Sequence, residues 1–279
     1  MKKTIIAILA LSSMAFAFTD TTWTFDGTIA PIASPVSNLT YQYVDVTGTT
    51  TEAQFADSNL TKGTVIGKYE LTADLGKAIT LTDGQYVKLA TNAYWADGAG
   101  KLAMGSAAQN SYTLMGWMNL TSTSGEVYIF GTGDTNASGL GLLVNNGQMD
   151  LLAKGVAHHN TTGITLATNT WVNLALTYDK NTGDAVVYLN GEQVSSLTGL
   201  NTAVFKNPGG QCSYIGAAST NTAQDTFAGQ IAEFKILDGA LSQQQILAAA
   251  HLAAPVPEPA TGSLSLLALA GLCARRRRK

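Results

Sequence analysis

The chain has 279 residues, of which only 13% are charged and 28 are glycine. This composition favours short strands and turns over long surface helices, because such helices need Glu, Lys and Arg. Residues 18–254 contain nine Lys, no Arg and 18 Asp plus Glu, so this body carries a net charge of 9 − 18 = −9. An acidic body without Arg is a poor partner for a phosphate backbone, and we predict no binding to nucleic acid.

The first 17 residues have the three parts of a secretory signal peptide. A basic start at residues 1–3 is followed by an apolar run at residues 5–11 and by the small-x-small cleavage site Ala15-Phe16-Ala17. The apolar run is too short to span a bilayer. We therefore predict that signal peptidase cuts after Ala17 and that the remaining chain is exported across the inner membrane.

Short runs rich in β-branched and aromatic residues predict strands through the first half of the body. These runs are residues 23–27 with a turn, 41–46, short strands within 65–75, 86–89, 112–120 and 127–130. In residues 112–120 the side chains of Tyr112, Leu114 and Met118 alternate with those of Met115 and Trp117. That alternation predicts a strand with two different faces.

A hairpin is predicted next. Residues 140–144 and 149–153 are strand-like and flank Asn145-Asn146-Gly147. We expect a three-residue loop here, with Gly147 at the position that needs a left-handed backbone conformation.

The stretch from Trp171 to Val194 predicts three antiparallel strands. Side chains alternate strictly along its first arm, with Val172, Leu174, Leu176 and Tyr178 on one face. The chain reverses through residues 179–184, and a second β-branched arm leads to Asn190-Gly191. This pair tolerates positive φ at both central turn positions, so a third strand should fold straight back.

Residues 214–216 and 231–237 complete the predicted strands, and one short helix follows. Ser242 is a good N-cap, and Gln245 stands three residues later, where it completes a capping box. We expect the helix to end near Ala253, because Pro255 cannot continue it.

The C-terminus has a second targeting pattern. Pro257-Glu258-Pro259 precedes an apolar stretch at residues 264–274 and a basic cluster at residues 275–279. The apolar stretch falls short of the roughly 20 residues that a spanning helix needs. The order of the three parts resembles the PEP-CTERM sorting signal of Gram-negative bacteria. This resemblance implies that an exosortase-type membrane enzyme recognises the tail and cuts near Pro257, Glu258 and Pro259, so that the protein touches the membrane only transiently.

The body resembles the laminin G-like jelly rolls of the concanavalin A-like lectin/glucanase superfamily. The matching pieces follow one another in the family's order: residues 23–27, 84–89, 111–118, 171–179, 187–194, 214–216 and 227–242. The resemblance implies an all-β fold, with two antiparallel sheets in a jelly-roll sandwich and one short C-terminal helix. We therefore predict a signal peptide at residues 1–17, one jelly-roll domain at 18–253 and a sorting tail at 254–279.

Catalysis by the route of the family's glucanases is not expected. Glycoside hydrolysis needs two carboxylates flanking a sugar, and those glucanases carry them as E-x-D-x-x-E on one strand face. The chain has no such run, and the Glu residues of its body are isolated from one another. We therefore predict that the protein is not an enzyme, and a glycoside hydrolase with an unrecognised carboxylate pair remains an alternative.

A structural calcium ion is the cofactor that the resemblance suggests, since calcium takes six to eight oxygen ligands. Related domains carry Asp in the closing strand, where this chain has Ala232. Loop oxygens of Asp97, Asp134 and Asn136 could still hold the ion. The alternative is that these polar turn residues hydrogen-bond their own backbone.

A sugar site is predicted at Tyr94-Trp95, next to Asp97. A loop pair of aromatic residues among polar neighbours suits stacking against sugar rings, although simple packing over the loop is the alternative. We thus predict an exported, non-catalytic binding module of the cell surface or extracellular matrix, with a glycan or glycoprotein as ligand. A purely structural envelope or matrix protein without a ligand remains the main alternative.

Overall fold

The computed structural model describes residues 21–28, 42–44, 52–82, 84–88, 111–131, 140–153, 157–200, 214–217 and 226–254. These residues form one helix, α1 (Gln243–Ala249), and short to medium strands. The strands are β1 (Thr21–Trp23), β2 (Gln42–Val44), β3 (Gln54–Asp57), β4 (Val65–Ile66), β5 (Tyr69–Leu71), β6 (Lys77–Leu81), β7 (Tyr86–Lys88), β8 (Tyr112–Leu120), β9 (Glu126–Gly131), β10 (Leu140–Asn145), β11 (Gln148–Ala153), β12 (Ala157–Thr165), β13 (Trp171–Asp179), β14 (Asp184–Leu189), β15 (Glu192–Leu197), β16 (Tyr214–Ile215), β17 (Gly229–Asp238) and β18 (Leu252–Ala253).

Two large antiparallel sheets form the body. The eight-stranded sheet has the order β15-β14-β13-β8-β17-β6-β3, and β1 also pairs with β17. The seven-stranded sheet has the order β12-β11-β10-β9-β16-β7-β2, and a small sheet has the order β18-β5-β4. The predicted all-β sandwich of antiparallel sheets with one short helix is therefore confirmed.

The main core lies between the two large sheets. It takes alternate residues of strands such as β13 and β10, as the period of two requires: Val172, Leu174, Leu176 and Tyr178 of β13 share one buried cluster with Leu140, Leu142 and Val144 of β10. The rings of Trp23, Phe130 and Phe234 meet in this core, with Phe234 5.8 Å from Trp23 and 5.6 Å from Phe130 between centroids. Each such buried side chain contributes roughly 2–3 kcal/mol of transfer free energy.

A second core covers the other face of the eight-stranded sheet. There Met115, Trp117, Ala175 and Ala232 pack against the small sheet and α1, which contribute Tyr69, Leu71, Ile246 and Leu252. Both faces of its central strands β8, β13 and β17 are therefore buried. This explains why β8 is apolar along nearly its whole length and not only at alternate positions.

Several local predictions are confirmed. Strand β8 has the predicted bounds, and its two sets of alternating side chains enter the two different cores. Asn190 and Gly191 have φ of 51° and 78°, as the predicted turn between β14 and β15 requires. Ser242 accepts a hydrogen bond from the backbone of Gln245, whose side chain accepts one from the backbone N–H of Ser242 in return.

Other predictions need correction. Strand β1 ends at Trp23, because Phe25 has a φ of 53° and leaves the extended conformation. The loop between β10 and β11 has two residues and not three, since Asn145 pairs with Gln148, and Asn146 and Gly147 have φ of 48° and 86°. Helix α1 ends at Ala249, well before Ala253, which belongs to β18. Strands β3, β6, β12 and β18 were not predicted.

Candidate functional site

The residues predicted to bind ligand or metal lie outside the described residues. Tyr94, Trp95 and Asp97 fall between β7 and β8, and Asp134 and Asn136 fall between β9 and β10. Ala17 and the Pro257-Glu258-Pro259 motif also lie outside them. The roles assigned to all these residues therefore stay predictions.

The described strands show where the two segments with the predicted site residues start. Tyr214 of β16 pairs with Lys88, the last residue of β7, on one side and with Gly131, the last residue of β9, on the other. Because neighbouring strands lie about 4.8 Å apart, the Cα atoms of Lys88 and Gly131 are roughly 10 Å apart. Strands β7 and β9 thus end at the same end of the seven-stranded sheet, on either side of the start of β16.

The outer face of the seven-stranded sheet carries a row of buried side chains. Tyr128 of β9 pairs with Leu143 of β10, which pairs with Asp150 of β11. Tyr128 and Leu143 also form a small apolar cluster with Leu152. Tyr128 is 8% exposed, and Leu143, Asp150 and Leu152 are each 3% exposed or less. The row is therefore packed interior and not an open groove.

Sequence reasoning missed the burial of this row. In β11, Met149 and Leu151 lie in the main core, so Asp150 and Leu152 point to the outer face. Such alternation by itself predicts an outer face in contact with solvent, so it does not indicate that Asp150 and Leu152 are covered. The outer face of the seven-stranded sheet combines acidic, phenolic and apolar groups.

An ionic cluster lies on the opposite layer, beneath the C-terminus of α1. His251 Nε2 is 3.0 Å from Glu233 Oε1, Lys235 Nζ is 3.3 Å from Glu233 Oε2, and Lys235 Nζ donates to the carbonyl of Ala249 at 2.5 Å. Burial acts to raise the pKa of Glu233, but the hydrogen bond from His251 and the charge of Lys235 together hold that pKa below its ordinary value. Glu233 is thus a carboxylate held by protein partners, and its cluster links β17 to the end of α1.

A second polar cluster joins the small sheet to the edge of the eight-stranded sheet. Tyr69 donates a short hydrogen bond to Glu192, Lys68 lies 3.0 Å from the same carboxylate, and Gln243 donates to it at 3.1 Å. The hydrogen bond from Tyr69 and the contact with Lys68 lower the pKa of Glu192. This carboxylate is likewise engaged in structural contacts.

No group of three or more His, Cys, Asp or Glu side chains converges on a metal-sized site within the part of the chain that the structure describes. Ala232, at the position where related domains carry Asp, is fully buried in the second core. The calcium ligands predicted from Asp97, Asp134 and Asn136 lie outside the described residues, so that assignment stays a prediction.

Comparison with known families identifies the class of the chain. Residues 81–247 match the profile of the concanavalin A-like lectin/glucanases superfamily, in its laminin G-like branch. This match covers more than half of the chain, which therefore belongs to that superfamily. Residues 255–279 match the PEP-CTERM protein-sorting motif. The motif indicates export to the cell envelope and processing by exosortase-type machinery. No helix of the described residues is both long and apolar enough to cross a membrane.

Solved structures share the fold at low sequence identity. Domain 4 of AbnA, an extracellular arabinanase of family GH43 from Geobacillus stearothermophilus, solved in complex with arabinotriose, is 21% identical with a TM-score of 0.58. The match covers 82% of this chain and 97% of that domain. The binding domain of Paraclostridial Mosquitocidal Protein 1 is 15% identical with a TM-score of 0.54, over 82% of this chain and 50% of that one. No curated protein matches the sequence.

Proposed function

We propose that this protein is a non-catalytic glycan-binding module that is exported, sorted through its tail and displayed on the cell surface or in the extracellular matrix of a Gram-negative-type bacterium. The observation that carries the proposal is the pairing of Tyr214 with both Lys88 and Gly131. Because of this pairing, β7 and β9 end on either side of β16, so the two segments with the predicted binding residues begin only two strand spacings apart. The similar fold of an arabinanase domain solved with arabinotriose supports the same class of ligand.

The proposed site lies where residues 89–110 and 132–139 leave the seven-stranded sheet. Tyr94 and Trp95 supply aromatic faces for the C–H faces of sugar rings, and Asp97 accepts hydrogen bonds from sugar hydroxyls. Asp134 and Asn136, together with Asp97, supply the oxygens for a structural calcium ion. The buried row from Tyr128 to Asp150 lies on the outer face of the same sheet.

The absence of catalysis is part of the proposal. A glycosidase needs one carboxyl group as acid and a second as base or nucleophile, within about 5–10 Å of each other across the sugar. The chain lacks the paired carboxylates of the family's glucanases on one strand. Glu192 and Glu233, in the described residues, are held by Lys, Tyr or His partners on the eight-stranded layer, away from the proposed site.

Binding of the secreted, tail-trimmed protein to a glycan panel tests the proposal. We expect retention on one class of oligosaccharide, loss of that retention in Trp95→Ala, and full retention in Trp171→Phe, whose ring packs against the second core. Equal melting temperatures of wild type and Trp95→Ala would show that the fold is intact. Failure to bind any glycan would favour the purely structural role, and release of sugar from a polysaccharide would favour the hydrolase.

A further inference from the structure

The sorting tail leaves the domain at a defined place. Strand β18 pairs antiparallel with β5, with Leu252 opposite Leu71 and Ala253 opposite Glu70. The chain therefore runs past β5 in the direction of Tyr69 and the turn that joins β4 to β5. We define the exit rim as this turn, residues 65–69, together with the exposed residues Ala253 and Ala254.

The chain is held firmly up to this rim. The carbonyl of His251 accepts hydrogen bonds from the backbone N–H of Thr72 at 2.8 Å and from its hydroxyl at 3.1 Å. Leu252 is only 4% exposed and belongs to the second core. Lys235 binds the carbonyl of Ala249, and Glu233 binds the ring of His251. The domain is thus held in place up to Ala253, the residue directly before the tail.

Only a short length of chain separates the domain from the sorting motif. Glu258, the centre of the sorting motif, is four residues beyond Ala254, so it can lie at most roughly 14 Å away, since an extended chain advances about 3.5 Å per residue. Ala254 is itself exposed at the surface of the domain. An enzyme that takes the motif into an active site recessed from its own surface is therefore brought against the domain surface around Ala254.

We infer that the exit rim is the surface of the domain that lies against the membrane-embedded processing enzyme while the tail is cut. The rim suits a protein contact. Val65 is 62% exposed and is the one exposed large apolar side chain among the described residues. Lys68, in the turn of the same hairpin, lies 3.0 Å from the carboxylate of Glu192, and Glu70 pairs with both Val65 and Ala253, so the rim combines one exposed apolar side chain with charged groups of both signs.

The inference rests on the sorting motif and on the geometry of β18, and it is independent of glycan binding. It also implies which side of the domain faces the processing enzyme. The small sheet packs on the outer face of the eight-stranded sheet, whereas the proposed glycan site lies at the seven-stranded sheet. The rim and the proposed ligand site therefore belong to opposite layers of the sandwich.

The test follows maturation of the full-length precursor in cells that contain the processing enzyme, with the mass of the C-terminus as readout. The variant Val65→Glu places a charge on the rim, and Thr165→Glu is the matched control at an exposed β-branched residue on β12. We expect Val65→Glu to slow tail removal at least about threefold, because charges at a contact change the association rate. Thr165→Glu should mature at the wild-type rate.

Two further variants make the result decisive. A Gly-Ser insertion of about six residues after Ala254 adds roughly 13 Å of reach, so it should restore maturation of Val65→Glu. Val65→Arg should slow maturation as Val65→Glu does, since either charge disrupts an apolar protein contact. Faster maturation of Val65→Arg would indicate contact with the anionic membrane surface and would overturn the inference. Equal rates for Val65→Glu and Thr165→Glu, with equal melting temperatures, would overturn it as well.

Discussion

Glu233 adopts a left-handed backbone conformation, with φ of 47°, at the point where the register between β17 and β8 shifts. Such a conformation costs a residue other than glycine about 1–2 kcal/mol. The bulge nevertheless aims Glu233 at His251 and keeps Lys235 on the same side of the sheet as α1. The ionic contacts of the side chain offset the backbone strain, so this position links a local bulge to the docking of the C-terminal helix.

We predict that Glu233→Gln lowers the free energy of unfolding by about 2 kcal/mol, because it leaves the nearly buried ammonium of Lys235 without its countercharge. Urea denaturation measures the change. Glu52→Gln, at an exposed position, is the control and should alter stability by less than about 0.5 kcal/mol. Equal effects of the two substitutions would mean that the ionic cluster contributes nothing to stability.

The carboxyl group of Glu233 also makes the stability of the protein depend on pH. The pKa of Glu233 in the folded protein lies below the ordinary value of 4.5, so its contribution is complete above that pH. As the pH falls below 4.5, the unfolded state takes up the proton first, and the contribution is lost as the pH passes through the lower folded pKa. We therefore expect wild type to lose more stability than Glu233→Gln between about pH 5 and about pH 3. Parallel stability curves for the two proteins would contradict this.

Gly191 combines a positive φ with a close approach of the helix. Its φ is 78°, and a Cβ atom there would come within 2.2 Å of a methyl carbon of Leu247 in α1. Gly199 has a similar φ of 67° but no atom within 4 Å of the same position. We predict that Gly199→Ala costs about 1 kcal/mol for the backbone alone, and that Gly191→Ala costs at least about 1–2 kcal/mol more. Thermal denaturation of both variants would show the difference.

Adding Leu247→Ala tests the cause of that difference. If the steric clash with Leu247 causes the extra destabilisation, Gly191→Ala should be less destabilising in the Leu247→Ala background than in wild type. An unchanged cost would show that the turn geometry alone restricts this position.

At the scale of the element, α1 is too short to be stable by itself. A helix of seven residues lies well below the length at which isolated helices form in water. It depends on its capping box at Ser242, on the burial of Ile246 and on the hydrogen bond from Lys235 to Ala249. The capping box acts within the first turn, whereas Ile246 and the Lys235 hydrogen bond join the helix to the second core and to β17.

We predict that Ser242→Ala lowers the free energy of unfolding by about 1 kcal/mol, because the N–H of Gln245 loses its acceptor. For a protein of this size the melting temperature should fall by about 2–4 °C. Ser242→Asp is the control, since its carboxylate can accept the same hydrogen bond, and it should retain the wild-type melting temperature. A loss of equal size in Ser242→Asp would mean that the cap is not what the serine provides.

For the molecule as a whole, one sheet serves two cores. Strands β8, β13 and β17 each place alternate residues in the main core and in the second core, as Met118 and Trp117 of β8 illustrate. Neither core can lose these strands without exposing the other. The eight-stranded sheet therefore couples the sandwich to the small sheet and α1.

This coupling predicts a single cooperative unfolding transition. Trp23 lies in the main core, whereas Trp117 belongs to the second core and Trp171 packs against it. In a Trp95→Phe background, we expect Trp23→Phe, which leaves Trp117 and Trp171, and the double variant Trp117→Phe/Trp171→Phe, which leaves Trp23, to show fluorescence and far-UV circular dichroism transitions that coincide in urea. Two separated transitions in either variant would show that the small sheet and helix unfold on their own.

The sequence by itself determined the local structure wherever short-range rules apply. Three features depend only on residues within about ten positions of one another: the alternation in β8 and β13, the Asn190-Gly191 turn and the Ser242–Gln245 capping box. Their local structure could therefore be predicted from the sequence alone. The family resemblance and the sorting tail were equally readable, because they are patterns of residues in order.

Only the tertiary structure decided what covers each face. No local pattern says that the outer face of the eight-stranded sheet is buried, because its cover comes from β5, α1 and β18, which are far apart in the chain. Short strands such as β18 exist only through their partners, since two residues have too little propensity to form a strand alone. For the same reason the pairing of Tyr214 with Lys88 and Gly131, which joins the predicted site segments, could be found only from the folded chain.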